Sequence, residues 1–197
     1  MRCLRLCLLF ASLLACSACS TAGVVPADLS ALLAEAPPDM PARLWLDGDR
    51  IVGAAVAVGP GVLPGDVRRM AEGIQPRGEL VFQGREWGPR GFGFRIDKHY
   101  AGDEGPEGSR SVLLAQDGNV LERDHTVPIA DVPQHVLASA MQVGSRIDEV
   151  RIVSGREREE YWSVLVHDRS GRVFVVTVSL DGRVLGSRRR TEARVES

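Results

Sequence analysis

The chain has 197 residues, 44% hydrophobic and 25% charged, with a formal net charge of −2. That balance fits a globular protein with one or two modest cores and excludes a disordered polymer, a collagen and a multi-span membrane protein. It also removes any electrostatic case for nucleic acid as the main partner, and because Lys98 is the single lysine among 24 basic residues, the arginine excess reads as composition bias rather than phosphate recognition.

Arg2 and Arg5 form a short positive region, and Leu6 to Ala15 follow as an apolar run too short to span a bilayer. The run ends in Leu13-Leu14-Ala15-Cys16, which resembles the lipobox of bacterial lipoproteins. The resemblance implies diacylglycerol on the Cys16 thiol and cleavage just before it, with 1–15 as signal peptide and 16–24 as tether. Cys19, also preceded by alanine, is the alternative lipidation site, and an ordinary secretory signal cleaved after Ala15 or Ala18 is the plainer one. Cleavage before Cys16 removes two arginines, taking the net charge from −2 to −4. Ser17 follows Cys16 and Ser20 follows Cys19. In lipoprotein sorting, aspartate at that position retains a protein in the inner membrane, so the resemblance implies an outer-membrane lipoprotein facing the periplasm. All four cysteines lie in the first nineteen residues, so the body has no disulfide, no thiolate zinc site and no cysteine nucleophile.

Three segments then open with an apolar residue, proline, two variable residues and another apolar residue: Val25 to Leu29, Leu63 to Val67, and Val132 to Val136. Proline suits a helix start, where its missing N–H is no loss. Helical periodicity follows through Leu29, Leu32, Leu33 and Ala36; through Val67, Met70, Ala71 and Ile74; and through Val136, Leu137, Ala140 and Met141.

After each helix the period changes to two. In 25–60 the unit is truncated, with Ala42 to Leu46, a turn at Asp47-Gly48, and the run Ile51 to Val58. That run either lines an apolar groove or forms a strand buried on both faces. In 61–128 the strands run through Glu79 to Phe82, through Phe92, Phe94 and Ile96, and through Val112 and Leu114, closing on Asp117-Gly118. In 131–188 they run through Glu149 to Val153, through Trp162, Val164 and Val166, and through Phe174, Val176 and Val178, closing on Asp181-Gly182. Asp-Gly between alternating runs signals a hairpin, since glycine readily supplies positive φ. The expected fold class is α+β, as repeated units of one short helix on a three-stranded antiparallel sheet, with a basic tail over 189–197.

Val132 to Arg188, with Tyr161 to Val166, Val173 to Val178 and Asp181-Gly182-Arg183-Val184-Leu185, resembles a PepSY-type domain, and 61–128 does so more loosely. Ser179-Leu180-Asp181-Gly182 lacks the further aspartate that family usually carries before the turn. The resemblance implies tandem domains that bind other proteins, as the family does when it restrains peptidases as a propeptide.

Catalytic motifs are missing. Lys98 follows Asp97 outside any phosphate loop, Gly91-Phe92-Gly93 runs on into a strand, and neither G-x-S-x-G nor H-E-x-x-H occurs. Asp97 with His99 and Tyr100, and Asp124 with His125, have no nucleophile or third ligand nearby and read as solvated polar groups, while the loop 102–108 lacks calcium-ligand spacing. Of the three tryptophans, Trp162 reads as core, Trp87 as core or exposed contact, and Trp45 as packing between units. The expectation is a lipid-anchored, non-enzymatic module without cofactor that contacts an envelope protein. A small-ligand or lipid binder is the alternative.

Overall fold

The computed structural model describes residues 27–34, 36–59, 61–101, 107–156 and 159–195. Cys16, Cys19, the tether and most of the acidic 102–108 loop lie outside them. The chain runs α1 (Ala27–Ala34), β1 (Pro41–Asp47), β2 (Arg50–Ala57), α2 (Gly65–Ile74), β3 (Glu79–Gly88), β4 (Gly91–Tyr100), β5 (Gly108–Leu114), β6 (Val120–Thr126), α3 (Gln134–Ala140), β7 (Arg146–Gly155), β8 (Glu160–His167), β9 (Val173–Ser179) and β10 (Val184–Arg194). Pro64 and Pro133 stand just before α2 and α3 with φ of −53° and −55°, the angle a helix start needs.

The strands form one sheet. Each pairs antiparallel with its sequence neighbour, and β1 pairs with β10 from Pro41↔Arg194 to Leu46↔Arg189, so the ring closes. The expectation of separate helix-on-three-strand units is therefore corrected to a single closed ten-stranded barrel carrying three α-helices among the described residues. The reason lies in pairings between the expected units: β2 bonds to β3 through Ala54↔Trp87, and β6 to β7 through Asp124↔Val153. A meander leaves its outer strands unpaired, and edge-to-edge joining satisfies those backbone groups.

The helices pack outside the ring. Leu29 and Leu32 of α1 cover Ala42, Leu44, Ala54 and Val56. Val67 and Ala71 of α2 cover Phe94, Ile96, Val112 and Leu114. Val136 and Ala140 of α3 cover Val150, Trp162, Val164, Val166, Val176 and Val178. Each helix is too short to be stable alone and takes its stability from that apolar stripe. On α3, the Ser139 hydroxyl also donates to the Gly182 carbonyl at 2.5 Å, tying the helix to the β9–β10 turn. Gly118 and Gly182 sit at φ of +82° and +89°, which is why the Asp-Gly turns need glycine.

With the apolar faces turned outward under helices, the alternate residues of every strand point into the ring, and these line the site.

Candidate binding site

The barrel holds a half-open cavity of about 590 Å³. Its walls have three different chemistries. Across β1 to β3 the interior is filled by Trp45, Ala55, Ala57 and Phe82, with Met40 packed against them. The backbones approach closely there: a Cβ on Gly84 would meet the Val56 carbonyl oxygen at 2.4 Å and the Phe82 ring at 2.6 Å. Thus Ala54 to Ala57, within the run Ile51 to Val58, are buried on both faces, by the first core outside and by this plug inside.

Across β4 to β8 the wall is an arginine–carboxylate lattice. Arg95 reaches Glu86 on β3 through both its Nε and its Nη2, Glu122 at 3.0 Å and Asp124 at 3.0 Å. Arg151 donates to Asp124 at 2.7 Å, to the Ser111 hydroxyl at 2.7 Å, and to Glu149. The Tyr161 hydroxyl donates to Glu122 at 2.9 Å. Arg43 bonds Asp97 at 2.8 Å, its guanidinium lying 4.3 Å from the centre of the Phe82 ring.

Burial opposes charge on Arg95, but Glu86, Asp124 and Glu122 outweigh it and hold its pKa well above the ordinary guanidinium value. Asp124 is likewise held below the usual carboxylate range, because Arg95 and Arg151 outweigh its burial. At Glu86 burial wins over Arg95, and the pKa rises. Burial and the neighbouring Glu122 charge push the Tyr161 phenol well above its usual value. The lattice is a set of mutually satisfied charges, which is what makes burying them tolerable.

The third wall, β8 to β10, is open. Ser163, Leu165, Val175, Thr177, Leu185, Arg188 and Arg190 line it, and Arg190 pairs with Glu192. Arg188 to Arg190, expected in or beside a tail beyond the last strand, lie inside β10.

Of the side chains singled out from sequence, Asp97 and Asp124 line the cavity, but none of the four histidines does. Asp124 points inward while His125, next along β6, is exposed on the other face. His167 instead contacts Asp148 at 2.5 Å. Trp45 belongs to the interior plug, Trp87 to the outer core under α1, and Trp162 to the core under α3. Sequence reasoning missed Glu86, Arg95, Glu122, Arg151 and Tyr161. The signal was there: the non-apolar positions of β4, β6 and β7 carry Arg95 and Asp97, Glu122 and Asp124, and Glu149 and Arg151, a complementary charge set rather than the mixed polar residues of a wetted face. Among the described residues no group of three His, Cys, Asp or Glu could hold a metal ion, and no helix is long and apolar enough to cross a membrane.

No protein-family model matches the chain, and no match is found among curated proteins. Solved structures do match. A protein of Bacteroides eggerthii, provisionally described as periplasmic, is 13% identical, with a TM-score of 0.50 over 66% of this chain and 90% of that one. The likeness is one of fold. A DUF2874 family protein of Bacteroides uniformis (13% identity, TM-score 0.47, 64% and 88% covered) and a BLIP-like protein of Bacteroides fragilis (18% identity, TM-score 0.43, 66% and 89% covered) are also similar. The reading of 61–128 and 131–188 as tandem PepSY-type domains is corrected. The strands of the two expected domains form one closed ring rather than two separate sheets.

Proposed function

We propose that the protein is a non-enzymatic binding module of the bacterial envelope that takes a small polar ligand into its barrel, held at the outer membrane by lipid on Cys16 or, alternatively, Cys19. The observation that carries this is the half-open cavity, about 590 Å³ and walled in part by fixed charges, within the size range of small-molecule sites. A lattice of paired arginines and carboxylates holds its shape at a cost in stability that an apolar filling would avoid, which suits a preformed polar site. The absence of catalysis is supported by the lattice itself. Its carboxylates are engaged by arginine, and no histidine lines the cavity to activate Ser163. An apolar or lipid ligand is disfavoured by the same walls. Native mass spectrometry of the protein released gently from membranes tests the reading. A bound mass below about 600 Da, lost on denaturation, is expected, since a ligand of that size fills such a cavity. A ligand-free spectrum from several growth conditions overturns it.

The anchor is tested by membrane fractionation and intact mass. Cys16→Ser should release the protein and abolish the lipid mass. If Cys19→Ser does so instead, the lipid sits on Cys19, and if neither releases it, the anchor reading fails.

A second reading, docking of an envelope protein, is favoured by the β9–β10 hairpin, where Leu180 and Leu185 are 47% and 53% exposed. Leu185→Glu should then abolish capture of the partner by the purified protein without lowering Tm. Unchanged capture would remove the hairpin from that role.

A further inference from the structure

Two groups in the cavity keep unused hydrogen-bonding capacity, and they carry opposite charge. The first is Asp97 on β4, only 6% exposed. Its Oδ2 accepts from Arg43, but its buried Oδ1 has no hydrogen-bond partner among the described residues. Phe82 lies directly across on β3, with the Arg43 guanidinium stacked on its ring, and Ser111 lies across on β5 with its hydroxyl taken by Arg151. The protein therefore offers Oδ1 no donor of its own, although a buried carboxylate oxygen gains most from a charged one.

The second group is Arg188 on β10. Its neighbour Val175 also lines the cavity, so its guanidinium is on the interior face, and it makes no ion pair or hydrogen bond among the described residues. Thr177, two residues from Val175 on the same face, lies diagonal to Arg188, and Ser163 is directly opposite Thr177 on β8. Diagonal neighbours on one sheet face are within reach of a long side chain. A guanidinium beside two hydroxyls presents a fork that fits a carboxylate.

The cavity thus holds a carboxylate oxygen lacking a donor and a donor fork lacking an anion. Arg95 and Arg151 are matched by Glu86, Glu122 and Asp124, and Arg43 offsets the charge of Asp97, so the interior rejects a ligand of large net charge of either sign. On the footing that the lumen is a binding cavity, we propose that its ligand is a zwitterion, a free amino acid or short peptide. Its ammonium donates to Asp97 Oδ1 and its carboxylate accepts from Arg188, with Thr177 and Ser163 beside it. Apolar side chains have room against Leu165 and Val175 on the open wall.

Isothermal titration of the full-length protein in detergent tests this with glycine oligomers of one to four residues and, for the best binder, its N-acetyl and C-amide forms. The free oligomer should bind, and each blocked form should bind at least tenfold more weakly, as expected for loss of one charge-assisted contact. Arg188→Gln should weaken the free oligomer about tenfold yet leave the C-amide form unaffected. Asp97→Asn should do the same for the N-acetyl form. Asp97 also pairs with Arg43, so that variant could lose stability, but Arg188 is exposed and its variant stands by itself. Equal binding of free and blocked forms overturns the proposal, as does a variant that weakens all three equally, and so does a failure of every oligomer to bind. Each of these leaves the mass-spectrometric search for some other bound molecule to decide the cavity reading independently.

Discussion

On β4, Phe94 and Ile96 face outward under α2 while Arg95 and Asp97 face inward; on β8, Trp162, Val164 and Val166 lie under α3 while Tyr161, Ser163 and Leu165 line the cavity. Strands β4 and β8 are thus apolar outside and largely polar inside. The two faces are held by different physics. Outer contacts are non-directional and degrade gradually as atoms are removed, whereas inner contacts are directional and fail when one partner is lost. Small barrels commonly fill their interior with apolar side chains, so here the stabilising burial has moved to the helices and the interior is left for chemistry.

The sharpest way to break the comparison is at Arg95. Arg95→Leu strands Glu86, Glu122 and Asp124 in the interior, and urea unfolding should show a loss of about 3–5 kcal/mol. Adding Glu86→Gln, Glu122→Gln and Asp124→Asn should restore most of it. If the single change is neutral, the lattice is not the support described above.

On the outer face, Leu114→Ala beneath α2 should cost about 3 kcal/mol, because the residue is fully buried and the helix settles only partly into the void. Leu165→Ala, on the cavity side, should cost about 1 kcal/mol, since it leaves no new sealed void. Similar losses at both sites would mean the cavity wall is packed like the outer cores.

A smaller effect is expected where the interior is apolar. Gly84→Ala drives a methyl group into the Val56 carbonyl and the Phe82 ring, and the plug should lose about 2 kcal/mol. A normal Tm for that variant would show the plug to be loosely packed.

The smallest effect concerns Tyr161. Its phenol keeps its proton in the folded protein to higher pH than in the unfolded chain, where the ordinary value is about 10. As pH rises through that ordinary value the unfolded state releases protons the folded state retains, so stability falls with pH above about 10. Tyr161→Phe should cost about 1 kcal/mol at neutral pH, from the lost bond to Glu122, and flatten the alkaline fall. Unfolding midpoints measured at several alkaline pH values distinguish this from a variant whose slope is unchanged.

Periodicity made much of the local structure legible. The alternation Trp162, Val164, Val166 and Phe174, Val176, Val178 marks which side chains share a face, and Asp117-Gly118 and Asp181-Gly182 mark turns. What alternation does not encode is what covers each face. Period two reads identically whether the polar side meets solvent or a lumen, and so nothing in the alternation marks Arg95, Glu122 and Arg151 as lumen residues. Closure was illegible for a related reason: the β1–β10 ladder depends on backbone groups, which every residue supplies, and on curvature summed around the whole ring. Arg189 and Arg190, read as part of a basic end, sit in that ladder.

The closing ladder also sets an order of events. Nine of the ten pairings join strands adjacent in sequence, but Leu44 pairs with Thr191, about 150 residues away. Bringing such distant segments together costs roughly 4 kcal/mol of chain entropy, against far less for a hairpin. Local hairpins and their covering helices therefore assemble first, and the seam zips last. Until β10 has been synthesised and delivered, β1 and β9 present open edges, ready to pair with another chain. A nascent molecule carries that hazard until its final eleven-residue strand removes it in a single step.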